Sequence, residues 1–408
     1  MFKEEVLKRF ISYAVIDTMS DPSKADKIHP STEGQWNLLR LLEKELRGLG
    51  LEDVSLDKYG YLLARVSANT QGKSAIAFSS HVDTASDVMG NGVKPRVVRN
   101  YDGSDIKLNS KYTIAVKDNP ELCSYVGSDI VVSDGNTLLG SDDKSGIAEI
   151  MTAISYVVKH PEIKHGEIEV LFSPDEETGF GMDFFDVDRL HCRALYTMDG
   201  GERYEIEDEC FNAASVKVRF EGVSYHLGSA RGRMVNALTM CTAFINALPQ
   251  AESPEATDGR YGYYCAHEVK GNVSSVDLEV LLRDFDYNSL EQRIKALKSI
   301  GKTIEQLYRG GKVTVKPTIS YRNMVEASRK DPKALESVYE AAKVLGQPIV
   351  NRIIRGGTDG ARIAEKGISC PNIYAGGHNM HSRFEWVGVD AMNDASKLIV
   401  EIVKQWAK

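Results

Sequence analysis

Cysteine is sparse: six residues in 408, at positions 123, 192, 210, 241, 265 and 370, with no CxxC pair. That scatter excludes a zinc-finger or disulfide-framework protein and fits a reducing compartment. No uninterrupted apolar run reaches the roughly 18 residues needed to cross a bilayer, so no membrane partner is expected. The opening MFKEEVLKRF places two glutamates where a secretory signal needs basic and then apolar residues, so a cytoplasmic address is expected. Lys/Arg-rich runs are missing too. Fifty basic residues against 58 acidic ones leave a net charge of −8, which argues against nucleic acid or an anionic membrane as a partner. We find no low-complexity segment and no convincing short repeat. No H-E-x-x-H helix is present, since His267-Glu268 runs on into Val-Lys-Gly, and there is no G-x-S-x-G elbow. Gly135 to Gly140 has the spacing of a phosphate loop, but Ser141-Asp142 follows, and an acidic residue there repels phosphate.

What remains is an ordinary soluble composition, 42% hydrophobic and 26% charged, in a chain long enough for two or three domains. Thr32 and Gln35 have capping-box spacing before the stripe Leu39, Leu42, Leu46, Leu49, with Gly50 closing that helix. DVSLDKYGYLLARV predicts two strands about a Lys-Tyr-Gly turn, and SAIAFSS a third. A helix from about Lys144 carries Ile147, Ile150, Met151, Ile154 and Val158 on one face. Apolar strands recur at 168–173, 194–198 and 371–375. Strands alternating with helices predict an α/β layer with a largely parallel, buried sheet. Between 210 and 322 the order becomes β-α-β-β-α-β, the ferredoxin-like unit. We therefore expect a discontinuous α/β domain, residues 1–209 plus 323–408, with a smaller domain of residues 210–322 inserted in it.

The residues that follow the apolar strands carry the chemistry. His81-Val82-Asp83 follows AIAFSS, and Ser141-Asp142-Asp143-Lys144 follows TLLG. Asp175-Glu176-Glu177 follows EVLFSP, Asp199 follows ALYTM, and His378-Asn379-Met380-His381 follows PNIYAGG. Ligands of open α/β sheets bind beyond the carboxyl ends of the strands. Carboxylates gathered there repel one another unless cations compensate them, and His/Asp/Glu without Cys suits a hydrolytic zinc site, with manganese or cobalt as alternatives. Two imidazoles and several carboxylates exceed the needs of one tetrahedral ion. A pair of ions bridged by one carboxylate and one water would use them all. Taken singly, each piece has a plainer explanation. H-x-D can be a surface pair, Asp142 or Asp143 a helix cap, Glu176-Glu177 a solvated turn, Asp199 a turn residue, and one His of GGHNMH a polar loop residue. On a strand, though, residues i and i+2 face one side, so Asp83 can hold the second nitrogen of His81.

The segments SHVDTASD, LLGSDDKSGIAEI, SPDEETGFG, TMDGG, RGGTDGA and GGHNMHSRFE resemble those of the co-catalytic zinc family of aminopeptidases, carboxypeptidases and aminoacylases. The likeness runs from STEGQW to the final helix, and SPDEE and RGGTDG are most similar to its tripeptide-cleaving aminopeptidases. It implies a mostly parallel zinc-peptidase domain with an inserted lid or dimerisation domain, and two divalent metal ions per chain, zinc first with cobalt and manganese as alternatives. His81, Asp142 and Asp199 would hold one ion, and Asp142, Glu177 and His381 the other. Asp142 is taken over Asp143 because the family's bridging aspartate lies two before the lysine, here Lys144. Asp83 would orient His81, and Glu176 would be the general base toward a metal-bridging water. His226, in SYHLGSARG, matches a histidine that polarises the substrate carbonyl, sometimes across a dimer, although His-Leu-Gly replaces the usual His-Pro-Gly. Arg355 resembles the receiver of a substrate carboxylate, with Arg283 and Asn236 as further candidates. The implied activity is removal of the N-terminal residue from short peptides, tripeptides above all. A dipeptidase or N-acyl amino-acid deacylase of the same fold, and a catalytically silent binding protein, are the alternatives. A homodimer through the inserted domain is left open.

Overall fold

The computed structural model describes residues 2–408, and they divide into two compact units. The first comprises residues 2–208, Glu326–Arg352 and Thr358–Lys408; the second comprises Glu209–Val325 and Ile353–Gly357. Among the described residues no helix is long and apolar enough to cross a membrane.

The first unit is built on an eight-stranded sheet. In spatial order its strands are Val54–Leu56, Leu62–Val66, Ile168–Ser173, Ile76–His81, Ala194–Gly200, Asn372–Tyr374, Glu205–Cys210 and Val350–Ile354. The centre is parallel: Ile76–His81 pairs with Ile168–Ser173 on one side and Ala194–Gly200 on the other, and the latter with Asn372–Tyr374. Leu62–Val66 and Glu205–Cys210 flank that centre antiparallel. Every residue of Ile76–His81 and Ile168–Ser173 is buried, as expected of strands covered on both faces. The helices Ser141–Lys159 and Val389–Trp406 pack on each other, with Lys3–Ala14 against both. Ile147, Ile150, Met151 and Ile154 join Leu398, Ile399 and Ile402 in one apolar core. The helix Lys3–Ala14 was not foreseen from the sequence. A small antiparallel sheet of Gly377–His378, Trp386–Gly388, Ile130–Val132 and Arg96–Val98 carries the GGHNMHSRFE segment at its edge.

The capping-box expectation needs correction. Thr32 stands at the N-cap of helix Glu33–Gly48 but makes no side-chain cap bond. Gln35 is fully buried; its Nε2 donates to Thr32 Oγ1 at 3.2 Å, but its shorter bond, at 2.8 Å, is to Asp175, a partner 140 residues away. Local spacing could not reveal that competitor.

In the second unit the strands Tyr263–Gly271, Ser275–Asp284, Asn212–Glu221 and Lys312–Tyr321 form an antiparallel sheet in that order, with helices Ala237–Asn246 and Tyr287–Leu307 packed on it. Ala214, Val216, Val218 and Phe220 alternate inward along one strand and meet Phe244, Leu290 and Leu297 from the helices. Ile353–Gly357 also belongs here, which the sequence does not announce. Phe211 N–H donates to Ile354 O at 3.2 Å, and a Cβ on Gly357 would lie 2.4 Å from the Tyr321 ring, so only glycine fits.

Candidate functional site

Because the central strands run parallel, the residues at their carboxyl ends share one edge of the first unit. His81 ends its strand, and its Nε2 lies 2.9 Å from Asp142 Oδ1 and 3.5 Å from Asp199 Oδ1. His381 Nε2 lies 3.3 Å from Asp142 Oδ2 and 3.0 Å from Glu177 Oε2. The two oxygens of Asp142 therefore face different imidazoles. His81 Nδ1 is 3.3 Å from Asp83 Oδ1 and 3.1 Å from the Asp83 carbonyl oxygen. The same Asp83 carboxylate accepts the backbone N–H of Glu176 at 3.0 Å and of Glu177 at 3.2 Å. It thus ties the first histidine to the loop that carries both glutamates.

Asp142 and Asp143 have non-helical backbone angles, so the regular helix begins at Lys144. This loop geometry lets the two neighbours point apart. Asp143 is fully buried, and its Oδ2 accepts from the Ser80 hydroxyl and from His81 N–H at 3.3 Å. Ligand atoms of His81, Asp143 and Asp199 fall within 4.8 Å of one another, as do those of His81, Asp142 and Glu177. Asp143 is therefore within reach of a cation: its Oδ2 accepts from Ser80 and its Oδ1 is buried with no hydrogen-bond partner, but only Asp142 turns its two oxygens to both imidazoles. A third set, Glu167, Glu169 and His191, is also close, but Arg65 Nε sits 2.9 Å from Glu169 Oε1 and supplies the positive charge itself.

The electrostatics show what the corner lacks. Burial pushes Glu176 well above the usual carboxyl range; His81 opposes the shift, while Asp199, Asp359 and Glu177 add to it. Burial, with Asp142 nearby, raises Glu177 to about 7, and burial raises Asp199 to about 6. Burial also penalises the Asp142 charge, but hydrogen bonds with His381 and His81 outweigh it and hold Asp142 below the ordinary value. Hydrogen bonds to Asp142 and Glu177 lift His381 to about 11. Glu177 Oε1 is buried with no hydrogen-bond partner. An orphaned carboxylate oxygen, two imidazoles and three more carboxyl groups, none of them sulfur, fit divalent cations of the zinc, manganese or cobalt type.

Asp175, noted in the sequence at its strand end, was given no role there. Its φ of 56° is left-handed, an uncommon state for a non-glycine residue, and a buried network holds it there. Ser31 N–H donates to its Oδ2 at 2.7 Å, the Ser31 hydroxyl to Oδ1, and Gln35 Nε2 to Oδ1 at 2.8 Å, while His29 Nδ1 lies 3.1 Å from Oδ2. STEGQW thereby braces the Glu176-Glu177 turn. The one sequence signal was the pairing of that motif with SPDEETG.

The remaining expected residues all lie in the second unit. His226 is exposed, in a loop before the short turn Leu227–Ser229. Asn236 caps helix Ala237–Asn246 by accepting from Leu238 N–H at 2.9 Å. Arg283 Nη1 donates to Leu282 O at 2.9 Å, and its guanidinium lies over the Tyr321 ring. Arg355 donates to Gly259 O, Tyr261 O, Thr257 O and Thr257 Oγ1 at 2.7–3.2 Å and lies over the Phe211 ring. Its terminal nitrogens are engaged in holding the 257–261 loop.

Residues 133–405 match the model of peptidase family M20/M25/M40. The chain is 44% identical over 407 residues to peptidase T of Clostridium botulinum (strain Okra / Type B1), covering 99% of each. It superposes on the aminopeptidase PepT from Bacillus cereus ATCC 10987 with TM-score 0.79 at 24% identity, covering 100% of this chain and 99% of that one. For a tripeptidase from Staphylococcus aureus the TM-score is 0.78 at 21% identity, with 99% and 98% covered. The family model spans about two thirds of the chain and the sequence likeness nearly all of it, so the chain belongs to peptidase family M20/M25/M40.

Proposed function

We propose that this chain is a metal-dependent aminopeptidase that removes the N-terminal residue from short peptides, tripeptides above all, in a cytoplasmic setting. The observation that carries the proposal is Asp142, whose two carboxylate oxygens address His81 and His381 separately, with the half-buried Glu176 in the same corner. The full-length likeness to a peptidase T supports the substrate class.

In this reading His81, Asp142 and Asp199 would hold one divalent cation and Asp142, Glu177 and His381 a second, zinc first, with cobalt or manganese as alternatives. When bound, such a pair supplies Lewis acidity that polarises the scissile carbonyl and acidifies the attacking water. Glu176 takes that water's proton, its basicity raised by burial, and later gives the proton to the departing amine. Asp83 keeps His81 in register and fixes the backbone from which Glu176 projects. His226, exposed in its loop, is assigned to the developing oxyanion. A peptide carboxylate falls to a basic residue of the second unit, Arg283 before Arg355 because the latter's terminal nitrogens already have acceptors; Asn236 is the weakest candidate because it caps a helix. A homodimer through the second unit remains part of the proposal.

The deciding experiment restores zinc, cobalt or manganese to metal-free protein and offers free di-, tri- and tetrapeptides, a tripeptide C-terminal amide and N-acyl amino acids. Release of the N-terminal residue with the highest kcat/KM on free tripeptides is expected. Equal or faster cleavage of N-acyl amino acids would overturn the aminopeptidase assignment, and equal rates on the amide would remove carboxylate recognition.

A further inference from the structure

Residues 139–142 lead into the regular part of the helix Ser141–Lys159, with Gly140 in the left-handed region at φ 78° and Asp142 outside the helical region. Backbone N–H groups in such a buried stretch have no helical partner and must be satisfied from elsewhere. One side chain does this. Glu385 is buried at 1% exposure, and its Oε2 accepts Leu139 N–H at 2.7 Å and Gly140 N–H at 2.8 Å. Its Oε1 accepts the Ser141 hydroxyl at 2.6 Å and Asp142 N–H at 3.1 Å. Four donors from four consecutive residues converge on one carboxylate from a segment more than 240 residues away.

Glu385 also lies four residues beyond His381, in the same GGHNMHSRFE segment. The strand that follows it begins with Trp386, which stacks on His378 at 3.8 Å between ring centroids. The segment carrying the second imidazole is therefore anchored on an aromatic pair and, through Glu385, clamps the backbone of the aspartate between the imidazoles.

We propose that Glu385 is a positioning residue that presets Asp142 and thereby sets the affinity of the corner for its divalent cations; this rests on Asp142 being the shared ligand. Charge-assisted bonds of this kind are short and directional. An amide cannot replace the carboxylate, because whichever way it turns its NH2 group meets two donors.

The test uses the full chain as Glu385→Gln, stripped of metal and titrated with zinc against a competing chelator, alongside thermal unfolding of the metal-free protein. Loss of a supporting partner of this type weakens metal binding by about 10–100-fold, so that weakening is expected, with kcat/KM recovering toward wild type as zinc is raised. Zinc affinity within twofold of wild type, with only the melting temperature lowered, would overturn the proposal and leave Glu385 a structural residue. If Glu385→Gln is not recovered folded, Ser141→Ala decides: it deletes one of the four donors and keeps the carboxylate, and a several-fold loss of affinity is expected, an unchanged one overturning the proposal. Asp142→Ala in parallel separates the two ideas. Retention of both ions there would sink the site assignment itself, whereas their loss with an unaffected Glu385→Gln sinks only this inference.

Discussion

Asp83 accepts the backbone N–H of Glu176 at 3.0 Å through the same Oδ1 that lies 3.3 Å from His81 Nδ1. A single buried carboxylate thus orients an imidazole and the main chain of Glu176, the proposed general base. Asp83→Asn can satisfy one of the two glutamate N–H groups but turns its amide toward the other. We expect kcat/KM to fall and metal affinity to weaken about 10–100-fold, read by steady-state kinetics and chelator competition.

Glu176→Gln keeps shape and hydrogen bonding but removes the proton acceptor. Turnover should drop by about 10²–10⁴, with elemental analysis still giving two ions per chain. Substantial remaining activity would remove Glu176 from its role.

Asp142→Ala should empty both cation positions together. Loss of only one ion, measured by elemental analysis after gel filtration, would show that the two sites do not share this carboxylate.

Protons and cations compete for Glu177 and Asp199, which burial raises to about 7 and about 6. Metal affinity should therefore fall as pH is lowered through 7 and then 6. For metal-free protein the sign reverses. A folded-state value above the unfolded one gives stability that is full below the unfolded pKa near 4 and is lost as pH rises through the folded one. From these two groups, metal-free protein should melt lower at pH 8 than at pH 5, while zinc-loaded protein should not follow that trend. Melting curves across this range, with and without zinc, check both signs.

Gly146, in the DDKSG motif, lets the helix lie directly on the strand Ala194–Gly200 that carries Asp199. A Cβ there would fall 2.0 Å from the Met198 carbonyl oxygen and 2.5 Å from Asp143 Oδ1. Gly146→Ala should force the helix and strand apart, destabilising the protein by at least about 1–3 kcal/mol and weakening metal binding, since Asp142 and Asp199 sit on the separated elements. Urea unfolding and zinc titration measure the two effects.

The sequence made the parallel strands legible because continuous apolar runs end abruptly in His, Asp or Glu, as at His81, Glu176 and Asp199. The second unit was legible because strand and helix periods alternate cleanly from Asn212 to Tyr321. Asp175 and Glu385 were not. Their partners are largely backbone N–H groups or residues more than 100 positions distant, and backbone donors leave no trace in side-chain patterns. Gln35 misled for the same reason, since a helical spacing of three was spent on a tertiary contact. Arg355 resembled a ligand-binding residue in its motif, yet the acceptors around its guanidinium come from a loop that the sequence did not place beside it.

The buried carboxyl groups at the mouth of the parallel strands have a consequence for the protein's lifetime. A partner that binds only the folded chain deepens its stability by about 4 kcal/mol when present at a thousand times its dissociation constant. A cell short of the ion would leave newly made chains without that increment and with a larger unfolded fraction, so the amount of this peptidase should rise and fall with trace-element supply even at a constant rate of synthesis.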